Sequence, residues 1–363
     1  MSVTRRRFLQ TGLALSASGA APWAFASSVE DYMLFGAWQR QRSYGAGMLD
    51  ASLQHATDLV TRGHHIEIIN DNEAWLFARR PSSYMLRVNW RTGQVLTRYI
   101  YDSTRTGFGH GIMSADGLLL TTDQRLDDDA GLLTIRDGRT GEVRQEFLSG
   151  GIGPHELLMM PDDIHVAIAN GGVLTRPDSG RTKLNLAHMQ PNLTVVNRYT
   201  GEITQQAQLD DARLSIRHLA HLPNCAIGIA LQYEQVSGNA AVPVAAIWQA
   251  DTGIKLLAMK VESLNRAQGY AASAASDGLS YFAVSCPKAN AVMIWTAQGQ
   301  WLLTLNVPLA YGLAAMPQAN CLAVSSENGR VYYFDTQTWH EKTTQRQTFD
   351  VQWDNHLIAH RRG

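Results

Sequence analysis

The chain has 363 residues, a formal net charge of -1, 45% hydrophobic residues and 17% charged residues. A chain of this length can bury a large core as one big domain or as two ordinary ones. The near-neutral charge balance gives no basic footprint of the kind typical of nucleic-acid-binding proteins, so we expect no nucleic-acid partner. Nine Trp and twelve Tyr residues favour a β-rich protein over a helical bundle.

The first residues have the features of an export signal. Residues 4–10 read TRRRFLQ, and a mildly apolar stretch follows up to Ala21. Ala24-Phe25-Ala26 then resembles a signal-peptide cleavage site. The paired arginines indicate the twin-arginine route, which carries folded proteins, although an ordinary secretory signal is the alternative. We predict a signal peptide over residues 1–26, a periplasmic location and no stable membrane anchor, because a membrane helix needs about 20 apolar residues.

Short strand-like runs fill the mature chain from residue 27 to residue 363. They are rich in β-branched and aromatic residues, and no convincing long amphipathic helix lies between them. A turn of the type Asp/Asn-x-x-Thr-Gly, with Gln first in the last copy, recurs about every 50 residues. Its copies end at Gly93, Gly141, Gly201 and Gly253. Such a glycine provides the positive φ of a tight hairpin, so we predict that the turn joins the third and fourth strands of a repeated unit.

A repeated four-stranded unit of about 45 residues is typical of a β-propeller blade. The length of the mature chain predicts seven blades, and therefore an all-β fold in which residues 27–363 form one domain. We expect WDNHLIAH (353–360) to open the last blade and the N-terminal DYMLFGAW (31–38) and ASLQHAT (51–57) to complete it, which closes the ring and removes sheet edges. A pair of β-sandwiches is the alternative, but it does not explain the register of the turns.

Histidines recur at the corners where the units begin. The innermost strand of a blade starts at one mouth of the central channel, so these imidazoles are predicted to converge there as a partial ring. Neutral imidazole is the commonest nitrogen ligand of transition metals, which makes these histidines candidate metal ligands, with iron or copper as the candidate ion. The five predicted ligands are His64, His110, His155, His218 and His356.

The corner histidines also have a structural interpretation. A histidine at a strand-opening turn can form a hydrogen bond to a neighbouring blade and lock the repeat, as Gly-His pairs do in WD-type propellers. Under the metal hypothesis, Glu156 and Asp354 would accept hydrogen bonds that fix the tautomers of the ligands. His165, His340 and His360 are expected to be ordinary surface or strand residues, and His55 and His65 are left unassigned.

One loop, residues 170–192, is long and polar, and loops of this kind often carry function on a rigid scaffold. We predict that it caps the channel mouth and, with an arginine of the next unit, offers donors to an anionic or metal-chelated ligand. The predicted ligand-binding residues are Arg181, Asn185, His188 and Arg217. The alternative is a loop that hydrogen-bonds only itself into place.

Seven segments, taken in this order, resemble the DUF1513 family of bacterial proteins. They are GHG (109–111), GPHEL (154–158), ANGG (169–172), PDSGR (177–181), KLNL (183–186), SIRHLA (215–220) and WDNH (353–356). The resemblance covers essentially the whole mature chain and implies an exported propeller. Family members are often encoded beside imelysin-like and di-haem-peroxidase-like proteins, which implies such partners and a periplasmic role in iron handling.

The resemblance implies no activity, because none is established for the family. The family pattern has a histidine just before PDSGR, where this chain has Arg176. Any role of that imidazole is therefore lost in this chain or has moved to His188.

The sequence shows neither the motifs of common enzyme families nor those of cysteine-based sites. The sequence has no nucleophile elbow, P-loop, dinucleotide fingerprint or HExxH motif, so we assign no catalytic residue. Cys225, Cys286 and Cys321 form no CxxC or CxxCH motif and are expected to be small buried residues. The sequence favours a periplasmic binding or accessory protein for a transition metal. A protein-interaction scaffold and a propeller lyase, hydrolase or oxidoreductase remain the alternatives.

Overall fold

The computed structural model describes residues 28–50, 53, 55–80, 83–234 and 241–362. Within these residues the chain forms seven four-stranded antiparallel sheets, which we call blades 1 to 7. The predicted signal peptide over residues 1–26 lies outside the described residues.

Each blade runs from an innermost strand at the channel to an outermost strand at the rim. In that order, blade 1 contains β4 (Gly63–Ile68), β5 (Glu73–Ala78), β6 (Tyr84–Asn89) and β7 (Gln94–Ile100); blade 2 contains β8 (Arg105–Met113), β9 (Leu118–Arg125), β10 (Gly131–Asp137) and β11 (Val143–Leu148); blade 3 contains β12 (Pro154–Met159), β13 (His165–Asn170), β14 (Asn192–Asn197) and β15 (Ile203–Gln208). Blade 4 contains β16 (Leu214–His221), β17 (Ile227–Tyr233), β18 (Ala245–Gln249) and β19 (Gly253–Leu256); blade 5 contains β20 (Ser273–Ser276), β21 (Tyr281–Cys286), β22 (Ala291–Thr296) and β23 (Trp301–Asn306); blade 6 contains β24 (Ala310–Met316), β25 (Cys321–Ser326), β26 (Arg330–Asp335) and β27 (Gln347–Thr348). Blade 7 combines the two ends of the chain and contains β28 (Gln352–Arg361), β1 (Tyr32–Arg40), β2 (Ser43–Met48) and β3 (Thr57–Leu59).

The blades form a closed ring. The innermost strands contact one another in the cycle β4, β8, β12, β16, β20, β24, β28 and back to β4. The described residues also contain one α-helix, α1 (Val261–Ala267), between β19 and β20, and seven short 3-10 segments. None of the described helices has the length and apolar character to cross a membrane. The prediction of an all-β propeller with seven blades is confirmed.

Blade 7 joins the two ends of the described chain. β28 pairs antiparallel with β1, from Tyr32 opposite Arg361 to Gln39 opposite Gln352. The tail therefore opens this blade and the N-terminal strands complete it, as the sequence predicted. The third strand is β2, which was not predicted from the sequence. The predicted segment at residues 51–57 contributes only the start of β3, and residues 51, 52 and 54 lie outside the described residues.

The recurring turns join the third and fourth strands of blades 1 to 4, as predicted. Gly93, Gly141, Gly201 and Gly253 have φ values of 73°, 75°, 74° and 71°. In the first three copies the leading residue is Asn or Asp, and its side chain accepts hydrogen bonds from two backbone N–H groups of the turn. Asp137, for example, accepts them from Arg139 and Thr140, each at 2.9 Å. This side chain and the positive φ explain why the motif recurs.

Apolar side chains fill the space between neighbouring blades. Phe282 and Trp295 of blade 5, for example, pack with Ala230 and Ile247 of blade 4 in one buried cluster. Cys286 and Cys321 are buried as expected. Cys225 is exposed, so the expectation was wrong for this residue, because it ends a short turn (Pro223–Cys225) that precedes β17.

Blade 2 also contains a buried ion pair between β9 and β10. Arg136 contacts Asp123 at 2.5 Å, and its other two nitrogens donate to the hydroxyl of Thr121 and to the carbonyl of Gly141 at 2.9 Å. The Tyr101 hydroxyl donates to the second oxygen of Asp123 at 2.9 Å. All nitrogen and oxygen atoms of the two charged groups therefore have partners. We call these four side chains, Tyr101, Thr121, Asp123 and Arg136, the blade 2 network.

Candidate metal site at the channel mouth

All five predicted histidines converge at one mouth of the channel, and we call them the histidine cluster. They belong to the innermost strands of blades 1, 2, 3, 4 and 7. Ring centroids of successive members lie 4.7 Å (His64–His110), 4.8 Å (His110–His155), 4.9 Å (His155–His218), 4.9 Å (His218–His356) and 4.5 Å (His356–His64) apart. The five imidazoles thus form a closed ring of their own, although two blades contribute no histidine.

Interrupted strand pairing aims these side chains at the channel. In β4 the register shifts between Gly63 and Ile66, and in β12 it shifts between Pro154 and Leu157. Similar shifts occur in β8, β16 and β28, each within a few residues of its histidine. A β-bulge re-aims side chains and increases the local twist of a strand, and bulges are common beside functional sites. Such a register shift therefore accompanies each of the five histidines, although β24 of blade 6 has one without a histidine.

Burial keeps the cluster uncharged. The relative exposures of His64, His110, His155, His218 and His356 are 2%, 1%, 6%, 2% and 7%. Burial lowers the pKa of every member below its ordinary value, to about 3 for His64 and for His218. At neutral pH the five rings are therefore neutral, which is the form of imidazole that binds metals.

A buried carboxylate fixes the tautomer of His64. Asp354 lies 2.8 Å from His64 Nδ1, and its other oxygen contacts Arg62 at 2.6 Å and Arg79 at 2.7 Å. Burial alone would raise the pKa of Asp354, but the charges of Arg79 and the contact with His64 hold it well below its usual range. The ionised Asp354 accepts the Nδ1 proton of His64, so Nε2 keeps a free lone pair. This is the arrangement expected of a metal-binding histidine.

His218 differs because both of its nitrogens have partners. Its Nδ1 lies 3.1 Å from Glu156, and its Nε2 lies 3.1 Å from the side-chain amide of Asn355, which also donates to Ala272 O at 2.6 Å. Burial raises the pKa of Glu156 to about 7. His218 can bind a metal only if it gives up its bond with Asn355 or with Glu156.

Other members of the cluster have buried nitrogens without partners. Both nitrogens of His110, Nδ1 of His155 and Nε2 of His356 have no hydrogen-bond partner among the described residues. Each buried unsatisfied polar atom costs about 1–3 kcal/mol, so a fold rarely keeps several together without a reason.

Two trios of histidines meet the first requirement of a metal site. His64, His110 and His155 form one, and His110, His218 and His356 form the other; in each trio the potential ligand atoms lie within 4.8 Å of one another. Nitrogen ligands at about 2.0–2.1 Å around a tetrahedral ion are roughly 3.4 Å apart, so small side-chain rotations would close either trio around an ion. His110 belongs to both trios and is the central member of the site.

His65, which the sequence left unassigned, lies against this cluster. Its ring centroid is 5.5 Å from that of His110 and 5.4 Å from that of His356, and its buried Nδ1 has no partner among the described residues. His65 shares the β4 bulge with His64. The adjacent pair of histidines in the sequence was the available signal, but only the bulge explains how both can face the channel.

The long polar loop also lies at this mouth. Gly171 N donates to Gly153 O and Gly172 N to Ile152 O, each at 2.9 Å, which ties the start of the loop to the corner before His155. Asn185 Oδ1 accepts from Leu174 N at 2.7 Å, and its amide donates to Gly172 O at 2.8 Å. Asn185 therefore holds the loop in shape, in line with the structural alternative for this residue.

The other predicted ligand-binding residues have different surroundings. Arg217 is buried and pairs with Glu234 at 2.8 Å, and Lys183 of the loop pairs with the same carboxylate. Arg181 and His188 are exposed. Among the described residues, no hydrogen bond or ion pair joins His188 to the arginines or histidines of the mouth. A ligand-binding role for these residues stays a prediction, as does metal binding by the histidine cluster.

Arg176, which stands where the family pattern has a histidine, pairs with Asp129 at 2.7 Å. The pair links the long loop to the β9–β10 loop of blade 2.

Comparison with known proteins identifies the family. A model described as "Protein of unknown function (DUF1513)" matches residues 57–360. The match confirms the resemblance seen in the sequence. No curated protein matches the chain.

Proposed function

Because the chain belongs to the DUF1513 family, whose function is unknown, we propose from its own site that it is a transition-metal-binding protein. The histidine cluster would hold the ion. The observation that carries the proposal is the set of buried imidazole nitrogens that lack hydrogen-bond partners among the described residues, within a closed ring of five histidines.

The unpaired nitrogens favour metal binding over the structural alternative. A histidine that locks two blades together must have a hydrogen-bond partner across the blade interface. His218 has such partners, and His64 has Asp354 on one side only. His110 has none among the described residues, although it is the most deeply buried member. A ligand bound on the channel axis accounts for this pattern.

The donor set limits the choice of ion. Neutral nitrogen donors suit iron, copper, zinc and nickel rather than magnesium or calcium, which prefer oxygen. We propose iron or copper, the ions expected from the sequence.

The wider role rests on the sequence. We propose that the protein acts in the periplasm in iron handling, as an accessory to imelysin-like or di-haem-peroxidase-like proteins. The predicted twin-arginine signal over residues 1–26 and the family resemblance support this role.

A titration of metal-free mature protein, without a histidine tag, tests the metal proposal. Calorimetry with Fe²⁺ under anaerobic conditions, Cu²⁺ and Zn²⁺ should find one ion per chain for at least one of the first two. The variant His110→Phe removes the nitrogens shared by both trios and should lose that binding. His165→Phe is the matched control, because His165 pairs with Asp162 away from the cluster. A stoichiometry far below one for all three ions, or equal binding by His110→Phe, would overturn the proposal.

A further inference from the structure

We propose that the channel mouth holds a second binding site, for a small multivalent anion with carboxylate or phosphate oxygens. Five arginines of the mouth would form it, and we call them the arginine cluster: Arg62, Arg79, Arg80, Arg181 and Arg217. The inference goes beyond the metal proposal, because such an anion needs no metal in order to bind there.

The arginines come from separate segments that meet at the mouth. Arg62 immediately precedes β4, and Arg79 and Arg80 immediately follow β5, so the antiparallel pairing of these strands brings the three together. Arg217 lies within the bulge of β16, one residue before a member of the histidine cluster. Arg181 belongs to the long polar loop. A side chain at Gly171, where this loop begins, would come within 3.4 Å of the Arg217 guanidinium.

The acidic groups that pair with these arginines are too few to neutralise them. Asp354 serves both Arg62 and Arg79, and Glu234 serves Arg217 together with Lys183. Arg80 and Arg181 have no acidic partner among the described residues. Residues 81–82 and 235–240, which lie outside the described residues, contain no Asp or Glu. The mouth therefore carries uncompensated positive charge.

Two of the arginines have buried nitrogens that lack partners. Arg80 Nη1 and Arg217 Nε are buried and have no hydrogen-bond partner among the described residues, and Arg217 is only 2% exposed. Guanidinium groups donate paired hydrogen bonds in a planar geometry that matches carboxylate and phosphate oxygens. Ion pairing explains the positions of Arg62, Arg79 and Arg217. Arg80 lies over the Phe108 ring, 6.0 Å from its centroid, but has no acidic partner among the described residues, and a bound anion would supply one.

The shifted pKa values of the arginines and of a neighbouring histidine are those expected when these groups lie close together. Burial and the charges of Arg217, Arg181 and Arg79 lower the pKa of Arg80, and the charge of Glu234 only partly opposes this shift. The charges of Arg217 and Arg80 also contribute, after burial, to the lowered pKa of His155. The arginine cluster therefore borders the histidine cluster. Tyr270, which precedes β20, and Tyr311 of β24 also contribute to the shifted pKa values of Arg79 and Arg181.

Calorimetric titration of metal-free protein with inorganic phosphate and with citrate tests this inference. We expect wild-type protein to bind at least one of the two probes; binding of phosphate alone would assign the phosphate class, and binding of citrate alone the carboxylate class. The double variant Arg80→Gln/Arg181→Gln should bind the same probe at least about tenfold more weakly. It should remain folded, because the change removes two unpaired like charges.

Arg176→Gln is the matched control, because Arg176 lies in the same loop but pairs with Asp129 outside the cluster. It should bind the anion as wild-type protein does. The inference is overturned if wild-type protein binds neither probe at about 1 mM, or if the double variant binds as tightly as wild type. Metal titration of the same samples separates the two proposals: anion binding without metal binding overturns only the metal function, and the reverse result overturns only the anion site.

Discussion

Blade 2 contributes side chains to two clusters of buried polar groups, the blade 2 network and the histidine cluster, and the two differ in one respect. In the blade 2 network, every nitrogen and oxygen of Arg136 and Asp123 has a protein partner. In the innermost strand, His110 is equally buried, at 1% exposure, and neither of its nitrogens has a hydrogen-bond partner among the described residues; the nearest carboxylate oxygen, of Glu156, lies 3.9 Å from its Nδ1.

The difference shows which buried polar groups indicate function. A fully bonded network can be explained by the stability and specificity of the fold. Buried groups without partners lower stability, so they indicate a ligand that the protein chain does not supply. Burial alone would have assigned the same role to both clusters.

The largest expected effect is a loss of stability of the metal-free protein at acidic pH. Burial lowers the pKa values of the histidine cluster and of His65, so these rings stay neutral in the folded state but become protonated in the unfolded chain below pH of about 6.5. The unfolded state then binds more protons, and the free energy of unfolding falls as the pH falls. Each such histidine contributes about 1 kcal/mol per pH unit.

Two carboxyl groups act in the opposite direction. Burial raises the pKa values of Glu67 and Glu156 to about 7, so the folded state holds their protons more tightly than the unfolded state. The six histidines outnumber them. We therefore expect the free energy of unfolding, measured with urea and a chelator, to fall by on the order of 5 kcal/mol between pH 7.5 and 5.5. A constant or rising value would show that the imidazoles are not held neutral.

The next effect concerns the blade 2 network. Arg136→Met leaves the buried charge of Asp123 without its cation, so we expect a loss of about 3–5 kcal/mol in the free energy of unfolding at pH 7.5. The folded fraction should still bind metal with unchanged stoichiometry. A loss below about 1 kcal/mol, or a loss of metal binding by folded protein, would remove the distinction between the two clusters.

The smallest expected effect on stability is that of His110→Phe. This change replaces an unsatisfied polar ring with an apolar ring, so the free energy of unfolding of the metal-free protein at pH 7.5 should change by less than about 1 kcal/mol or increase. Urea unfolding of the metal-free variant and of the wild-type protein measures this change. A loss of about 3 kcal/mol or more, on the scale expected for Arg136→Met, would indicate that His110 has a structural role instead.

Much of the fold could be predicted because it depends on local patterns. The turns ending at Gly93 and its three counterparts determine the third hairpin of four blades. The histidines mark the innermost strands, near the start of β4 and β12 but within β8, β16 and β28. Closure of the ring by both ends of the chain could be predicted because each end of the sequence has strands that would otherwise lack a partner. β2 was missed because SYGAGM has small residues and little of the alternation typical of a strand.

The site was predicted only where it repeats. His64, His110 and His155 are 46 and 45 residues apart, and the structure brings them together with His218 and His356, which lie at longer intervals. His65 and the pairing of Arg62 and Arg79 with Asp354 depend on a bulge and on contacts between blades 1 and 7, which no periodic pattern reveals. Asn185 was assigned by its polar character; its side chain forms local hydrogen bonds of the loop, and its ligand-binding role stays a prediction. Which of several polar groups in a loop faces a ligand depends on a backbone path that composition does not specify.

The location of a bound ion tests the central claim most directly. Crystals of metal-free protein soaked with Fe²⁺ or Cu²⁺ would be measured at the absorption edge of the metal. We predict one strong anomalous peak on the channel axis, within about 2.0–2.3 Å of nitrogens from at least three members of the histidine cluster, His110 among them. An empty axis, with peaks only at surface histidines such as His165 or His188, would contradict the account.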